Sequence, residues 1–318
     1  MRAAVVCLAL LVACSSDSSG PPVNTPASFY VANAGSNTIS AFTTADTGNA
    51  TPALTIGGTN TTLDQPIGIV LDPAGVLITT SANPWRIVVF AANSVGDAAP
   101  VASIVGANTG ISQPKGLALN PSGRLYVANG SNGILIFANG VAGNVPPMGT
   151  IAGANTGLSG PAGLSFDLRG RLYVANSSAP SVTVYAATAS GNVSPVDTIA
   201  GANTGLNVPL GVAVDPGGRI YVANSGTGPS TSSLTVYASG AHGNAAPVAT
   251  IAGPNTRLDQ PQGVALDPAG RIYVVNSAFT SHLYRITVYA ADANGDVAPV
   301  ATIAGNKTGL SAPSHLSF

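Results

Sequence analysis

Few residues of the types that carry chemistry occur in this sequence, and their spacing does not bring them together. The chain has three histidines (His242, His282 and His315), two cysteines and twelve acidic residues, all of which are Asp. A zinc site needs about three converging His or Cys ligands, and the histidines fall at unrelated positions of the repeat described below. No Gly-x-Ser-x-Gly motif marks a nucleophile. We therefore expect no catalytic residue, no metal and no cofactor.

One acidic segment resembles the start of a calcium-binding loop. Asp292, Asn294 and Asp296 have the alternating spacing of such a loop, but Ile303 stands where the bidentate acid is required. The segment is also in register with five other Gly-Asn or Gly-Asp pairs. The pattern therefore favours a turn over a calcium site.

The composition argues against some classes of protein. Only 7% of the residues are charged and the formal net charge is −1, whereas an average soluble domain is about 25% charged. No aromatic and basic stretch resembles a nucleic-acid-binding module, so we expect no nucleic-acid partner. Abundant Gly, Pro, Val and Thr, without any Glu, argue against helices and for short strands joined by tight turns.

The first residues predict export. Arg2 precedes an apolar run over residues 3–13. This run is too short to span a bilayer of about 30 Å. It is typical of a signal peptide, which would comprise residues 1–13 and be removed by cleavage. The string Leu11-Val12-Ala13-Cys14 resembles the lipobox of bacterial lipoproteins. This resemblance implies that residues 14–27 are a lipidated Cys14 followed by a flexible tether. An ordinary secretory signal with an incidental Cys14 is the alternative.

The residue after Cys14 bears on localisation. It is Ser15 rather than Asp, which resembles the pattern of outer-membrane lipoproteins in Gram-negative bacteria. The resemblance implies an exported protein that lipid anchors in the cell envelope, in the outer membrane if the cell is Gram-negative. Its folded domain would then lie in the periplasm or at the cell surface.

Three sequence signals recur six times, at intervals of about 47–52 residues. The first is an Ile-Ala-Gly-Ala-Asn-Thr-Gly-Leu run that ends in Pro, as in residues 151–161 and 199–209. The second is a Tyr-Val-Ala-Asn-type segment, and the third is a Gly-Asn or Gly-Asp pair three residues before Pro. A strict period of this length indicates a repeat architecture. The segments of the second type end at Asn33, Ser81, Asn129, Asn176, Asn224 and Asn276.

Each repeat divides into four short strands, here called A to D. In the copy that starts at Leu210 the strands are LGVAVD, RIYVAN, LTVYA and PVATI. The Asp-Pro-x-Gly string between A and B places Pro at the first central position of a turn and Gly where φ is positive. Four such strands per repeat predict the blade of a β-propeller.

The two ends of the sequence complete one blade. Residues 28–33 form a strand B with no strand A before it, and residues 314–318 form a strand A with no strand B after it. We therefore predict an all-β, six-bladed β-propeller over residues 28–318, with four antiparallel strands per blade. The ring is closed by a composite blade from both termini, which leaves no open sheet edge.

The repeat resembles that of NHL-type six-bladed propellers, which reads roughly P-x-G-V-A-V-D, I-Y-V-A-D and I-x-V-F. A more distant similarity is to the regucalcin and gluconolactonase propellers, in which residues at the start of strand A supply Asn and acidic ligands to a divalent cation. Ile, Ala and Leu cannot ligate such a cation, which counts against this chemistry here. The corresponding positions carry Ile67, Lys115, Ala162, Leu210, Gln262 and Ser314.

Two sets of repeated polar residues are expected to stabilise the fold. The Asn that ends each strand B is expected to cap the turn that follows it. Four arginines after Asp-type turns are expected to pair with the nearby Asp, with a small energy for each exposed pair. They are Arg124, Arg171, Arg219 and Arg271.

Residues that depart from the repeat are predicted to gather on one face. In a blade of this strand order the D–A and B–C loops share one face, the top, and the remaining loops share the bottom. Most Asp residues, Asp97 and Asp296 among them, are expected on the bottom. The top receives two enlarged B–C loops and the one Trp of the chain. The predicted binding face comprises Trp85, Arg86, Lys115, Arg257, Phe279, Tyr284, Arg285 and His315.

These features favour a binding function over a catalytic one. We expect a non-catalytic binding or scaffold propeller, a monomer, that recognises an envelope protein or a glycan through this face by aromatic stacking and Arg contacts. Lipid on Cys14 is the only membrane contact expected. The alternatives are a gluconolactonase-like or other lactone or ester hydrolase, and a purely structural lipoprotein.

Overall fold

The computed structural model describes residues 28–130, 133–278 and 282–318. These residues form six four-stranded antiparallel sheets, whose A strands contact one another in a closed ring. Helical structure in the described residues is limited to four 3-10 turns of three residues each. No helix in this part of the chain is long and apolar enough to cross a membrane. The predicted all-β, six-bladed propeller is confirmed.

The strands follow the repeat, with four per blade. The closure blade contains β24 (Pro313–Ser317), β1 (Ser28–Asn33), β2 (Thr38–Thr43) and β3 (Leu54–Ile56). Blade 1 contains β4 (Ile69–Leu71), β5 (Leu77–Ala82), β6 (Trp85–Phe90) and β7 (Ala102–Ile104). Blade 2 contains β8 (Leu117–Leu119), β9 (Leu125–Asn129), β10 (Gly133–Phe137) and β11 (Gly149–Ala152).

The second half of the ring has the same composition. Blade 3 contains β12 (Pro161–Phe166), β13 (Leu172–Asn176), β14 (Ser181–Tyr185) and β15 (Asp197–Ile199). Blade 4 contains β16 (Pro209–Val214), β17 (Ile220–Asn224), β18 (Ser233–Tyr237) and β19 (Ala249–Ile251). Blade 5 contains β20 (Pro261–Leu266), β21 (Ile272–Asn276), β22 (Arg285–Tyr289) and β23 (Ala301–Ala304).

The hydrophobic core lies between neighbouring blades, because alternate side chains of a strand point to opposite faces of its sheet. Between blades 4 and 5, for example, Tyr221 and Val236 belong to the same buried cluster as Val264 and Ile272. None of the four side chains is more than 7% exposed. Each blade therefore stabilises the next through an apolar contact that a single blade cannot form.

The closure blade joins the two ends of the chain by strand pairing. Tyr30 and Val31 in β1 pair with Ser317 and Leu316 in β24. The Phe29 ring packs against Phe318, with 5.4 Å between the ring centroids. The predicted composite blade is therefore present.

The A strands approach one another closely at a ring of small residues. The Gly116 amide donates a 3.0 Å hydrogen bond to the Ala162 oxygen, and a Cβ on Gly116 would lie 2.2 Å from that oxygen. A Cβ on Gly68 would lie 2.1 Å from the Lys115 oxygen. Only glycine fits such an approach without a backbone shift. Gly163, Gly211 and Gly263 continue the ring, and His315 takes the sixth position.

The C–D connections do not stay at the bottom of the propeller. Gly96, between β6 and β7, forms a parallel bridge with Ile56 at the end of strand D in the closure blade. The Asp97 carboxylate then accepts hydrogen bonds from the amide and the side-chain amide of Asn60, in a D–A loop, at 2.7 and 3.0 Å. Asp296 makes the same contacts with Asn255. The placement of these two acids on the bottom face is therefore wrong: each C–D connection follows the outer edge of the preceding blade and covers it.

Candidate functional site

The predicted binding-face residues that the structure describes are spread over four blades. Phe279 and Cys14 lie outside the described residues. Arg257, Tyr284 and Arg285 come together over blade 5. Blade 1 carries Trp85 and Arg86 at the start of β6, Lys115 directly precedes the first strand of blade 2, and His315 lies in β24.

Arg257 and Arg285 line two adjoining clefts at the top of blade 5. One has a volume of about 530 Å³ and also involves Leu258 and the 3-10 turn Pro229–Thr231 in the B–C loop of blade 4. The other has a volume of about 500 Å³ and extends towards the closure blade. It is lined, among others, by His282, Leu283, Tyr284 and Asn306. Two guanidinium groups therefore lie beside apolar and aromatic side chains in a concave part of the top face, and the acidic Asp259 lines one of the two clefts with them. The two arginines outnumber this acid, an arrangement suited to an anionic ligand.

The turn that carries Arg257 is fixed from below. The Tyr289 hydroxyl donates a 2.6 Å hydrogen bond to the Thr256 oxygen, and burial raises the pKa of this tyrosine. The Thr256 hydroxyl in turn donates to the Gly253 oxygen over 2.7 Å. These contacts place Arg257 on a rigid support, so its guanidinium is presented from a defined backbone position.

Arg257 has a left-handed backbone conformation, with φ of 59°. Four equivalent positions in the other repeats carry Gly, with φ between 66° and 71°, and the fifth carries Thr62. A non-glycine residue in this region costs about 1–2 kcal/mol relative to the usual helical or extended regions. A strained basic side chain in place of Gly suggests a role outside folding. The four glycines are Gly110, Gly157, Gly205 and Gly309.

The ion pairs of the described residues involve bottom-face arginines. Arg171, Arg219 and Arg271 donate from Nε to the Asp four residues earlier, at 2.7–2.8 Å. Each guanidinium also lies 5.6 Å from the centroid of a Tyr ring. The predicted Asp–Arg pairing is confirmed for these three residues. It is wrong for Arg124, because Asn120 occupies the Asp position and accepts only its backbone amide.

This pairing affects the acids as well. Burial raises the pKa of Asp167, but the hydrogen bonds from the Arg171 side chain and backbone outweigh it, and the net pKa is lowered. Asp215 and Arg219 show the same balance. By contrast, no ion pair within the described ranges involves Arg86, Arg257, Arg285, Lys115 or Lys307 on the top. The top face therefore carries cationic groups that form no ion pair with a described carboxylate.

The asparagines that end strand B are structural, although not in the way predicted. Asn224 is fully buried. Its Oδ1 accepts the Asn207 amide at 3.1 Å, in the preceding D–A loop, and its Nδ2 donates to Thr235 Oγ1 at 3.0 Å. The prediction that these residues cap the following turn is therefore wrong for Asn176, Asn224 and Asn276, each of which joins strands B and C to the preceding D–A loop. In blade 1, Ser81 replaces Asn and accepts the Asp64 amide at 2.9 Å.

His315 is half-buried at the inner ring, and both of its imidazole nitrogens are buried. A Cβ on Gly263 would lie 3.6 Å from its Cγ, which places the ring against strand A of blade 5. Neither imidazole nitrogen has a hydrogen-bond partner among the described atoms. Burial lowers the pKa of His315 to about 4, and the positive charge of Lys115 acts in the same direction. The imidazole is therefore neutral at pH 7.

The mouth of the central channel is held by backbone contacts. The Ser314 hydroxyl donates to the Ile67 oxygen at 2.8 Å and joins the closure blade to blade 1. The Gln262 side chain donates to the Gln260 oxygen at 3.1 Å. No group of three or more His, Cys, Asp or Glu that could hold a metal occurs within the described ranges. The Ser314 contact therefore acts in ring closure, whereas the Gln262 contact stays within its own segment.

Leu283 and the 3-10 turn Pro229–Thr231 also belong to the candidate site and were not in the predicted binding-face set. Leu283 is 61% exposed beside Tyr284, and the His282 ring lies 6.0 Å from the Tyr284 ring. Pro229 and Ser230 contribute to the cleft from the neighbouring blade. The enlarged B–C loops were the sequence signal for these residues, but the loops lack the repeat pattern that fixes contacts elsewhere.

Comparisons with known proteins identify the fold. The NHL repeat family matches residues 206–228, which run from the D–A loop into blade 4, and no curated protein matches the chain. A protein of unknown function from Bacteroides caccae has a TM-score of 0.65 and 12% identity, over 92% of this chain and 98% of the other. A chain of the nidogen/laminin complex has a TM-score of 0.62 and 15% identity, over 91% and 97% of the two chains. A functionally unknown protein from Desulfotomaculum acetoxidans DSM 771 has a TM-score of 0.59 and 15% identity, over 91% and 86%. The chain is therefore a six-bladed β-propeller that contains an NHL repeat.

Proposed function

We propose that this protein is a non-catalytic binding or scaffold module of the bacterial cell envelope, which recognises a partner through the top of blade 5. The observation that carries the proposal is the pair of clefts that share Arg257 and Arg285. Neither guanidinium forms an ion pair with a described carboxylate. An anionic group on a partner would gain a charge-assisted hydrogen bond there without breaking an existing one.

The partner is an envelope protein or a glycan. Tyr284 and Leu283 supply apolar and aromatic surface beside the two arginines, and both partner classes use such surfaces together with Arg. The NHL repeat and the propeller fold are consistent with binding, but this architecture also carries unrelated functions. The site itself therefore carries the argument.

Anchoring through lipid on Cys14 is consistent with the position of the first described strand, which begins at the bottom of the propeller. Strand β1 begins at Ser28, which pairs with Thr43 at the bottom of the closure blade. Thirteen residues separate Cys14 from Ser28. A tether leaving the bottom face would leave the top of blade 5 directed away from the membrane and free for a partner.

The binding proposal is tested with the full-length protein in detergent micelles. The protein is immobilised, and its retention of isolated envelope proteins and envelope polysaccharides is measured separately. Combined replacement of Arg257, Tyr284 and Arg285 by Ala should lower retention at least about tenfold, since each lost anchor contact costs about 1 kcal/mol or more. Equal retention by this variant and the wild type would refute top-face recognition.

The matched control changes the same kinds of residue on the bottom face. Arg124, Leu168 and Arg169 are exposed, and their combined replacement by Ala also removes one large apolar side chain and two arginines. Retention by this variant should equal that of the wild type. The anchoring proposal has its own test: Cys14→Ser should move the protein from the membrane fraction to the soluble fraction, and a variant that stays with the membrane contradicts lipid attachment.

A further inference from the structure

Two blades carry the same aromatic–arginine dipeptide at the same position. Trp85 and Arg86 open β6 in blade 1, where Arg86 pairs with Ser81 at the end of strand B. Tyr284 and Arg285 stand at the start of β22 in blade 5, where Arg285 pairs with Asn276. The corresponding dipeptides in the other four repeats are Asn37-Thr38, Asn132-Gly133, Pro180-Ser181 and Ser232-Ser233.

The two arginines also share a side-chain contact. The Nε of Arg86 donates to the Pro84 oxygen at 3.3 Å, and the Nε of Arg285 donates to the Leu283 oxygen at 3.1 Å. In both cases the acceptor lies two residues before the arginine. No described hydrogen bond uses the terminal guanidinium nitrogens of either residue, so each arginine is oriented by its own loop and retains donors for a ligand.

The closure blade lies between the two dipeptides, because the A strands follow the order β20, β24, β4 around the ring. The D–A loop that leads into the closure blade carries Lys307, which is exposed. Five equivalent positions carry Asn, yet the Lys307 amide still donates to Asn49 Oδ1 at 2.8 Å, as its counterparts do in the other repeats. The change to Lys therefore alters the surface without altering the turn. Those five residues are Asn60, Asn108, Asn155, Asn203 and Asn255.

An aromatic ring beside a guanidinium suits a sugar that carries a carboxylate. The ring stacks on the apolar face of the sugar, and the guanidinium donates to the carboxylate. Trp85 is 43% exposed and so presents its ring to a ligand. The two dipeptides carry the same kinds of side chain, so they suit a ligand that presents the same chemical group twice. A polymer of one repeated acidic sugar presents such a group at every unit along its length.

We propose that the top face binds a linear acidic polysaccharide, which occupies the Trp85–Arg86 and Tyr284–Arg285 subsites together and crosses the closure blade past Lys307. This inference rests on the proposed binding function of the top face. It adds the class of ligand and a second, equivalent subsite. Binding to one subsite alone is weak. A polymer that occupies both subsites binds more tightly, because the second contact is made within the same complex.

The test compares short and long polymers of a uronic acid with the full-length protein. Replacement of Trp85 and Arg86 by Ala, or of Tyr284 and Arg285 by Ala, should lower the affinity for a long polymer on the order of 10²-fold, because either change removes bivalent binding. For a single uronic-acid disaccharide, which can occupy only one subsite at a time, the wild type should bind two molecules per chain and either variant should bind one. The control variant Leu168→Ala/Arg169→Ala, an exposed apolar–arginine dipeptide on the bottom face, should bind like the wild type.

Four outcomes overturn the inference: no binding of the long polymer, an equal affinity for long polymer and disaccharide, an unchanged affinity after loss of one dipeptide, or equally tight binding of polyglutamate. The last would show that charge alone determines binding and that the sugar is not recognised. If the polymer fails while the triple top-face variant still loses an envelope protein, the proposed function stands and only this inference fails. Circular dichroism of each variant confirms that the fold is intact.

Discussion

Asn224 and Thr235 form a buried hydrogen bond of 3.0 Å between strands B and C of blade 4. The same Asn accepts the Asn207 amide, so one side chain connects two strands and the D–A loop. Asn176 and Asn276 make the equivalent contacts with Thr183 and Thr287 in blades 3 and 5. The top loops are thus positioned by polar contacts inside each blade.

Replacement of Asn224 by Ala should destabilise the protein by about 1–3 kcal/mol, because it leaves the Asn207 amide and the Thr235 hydroxyl without their partner. Urea denaturation measures the change. Asn224→Ser should lose less, since Ser81 performs the loop contact in blade 1. In a double-mutant cycle with Thr235→Val, additive changes would show that the bond contributes nothing.

The inner ring of glycines leads to a second prediction. A Cβ on Gly163 would lie 2.5 Å from the Leu210 oxygen and 2.9 Å from the Val212 nitrogen, so Gly163→Ala must move backbone and should cost about 1–3 kcal/mol. Gly228 has extended backbone and open space around its Cβ position, and Gly228→Ala should be near neutral. Thermal denaturation of the two variants compares them, and equal midpoints would contradict the close approach of the A strands.

The sequence predicted much of this fold because the repeat is strict. The six copies determine the strands, and the unmatched strand B at Ser28 determines the closure. The C–D connections could not be predicted: the contact of Asp97 with Asn60 joins residues 37 positions apart in different blades, and nothing local specifies it. The same limit applies to Asn224, since its position at a strand end is equally compatible with a turn cap.

The candidate site was predictable in part. Departures from the repeat indicated Arg257, Tyr284 and Arg285, which do meet. The pattern also suggested that His315 faces the channel mouth. Its nitrogens are buried instead, because the ring packs against strand A of blade 5, where a Cβ on Gly263 would lie 3.6 Å from the His315 Cγ. Residue types alone do not reveal that distance.

The buried imidazole nitrogens of His315 predict a loss of stability in mild acid. Its pKa is lowered to about 4 in the folded state by burial and by the Lys115 charge, whereas an unfolded His titrates near 6.5. Between these values the unfolded chain binds the proton preferentially, so the free energy of unfolding should fall by about 2–3 kcal/mol from pH 7 to pH 4.5.

Urea denaturation at several pH values tests this loss, and His315→Gln should remove most of it. His242→Gln, which changes an exposed His, serves as the control and should retain it. Asp167 and Asp215 contribute at lower pH, since their folded pKa values lie below the ordinary value of 3.8; their contribution is lost as the pH falls through those folded values. The same loss in the wild type and in His315→Gln would show that this histidine does not titrate as described.

Arg257 allows stability and binding to be separated. Arg257→Gly restores the residue found at four equivalent positions and relieves a left-handed backbone at φ of 59°, so the protein should gain up to about 1 kcal/mol of stability. The same change removes a guanidinium from both clefts of blade 5 and should lower partner retention several-fold. Arg257→Lys keeps the charge and the strain, and should keep the stability of the wild type with an intermediate affinity. If Arg257→Gly gains stability and retains full binding, then Arg257 is a neutral departure from the repeat and the clefts do not bind through it.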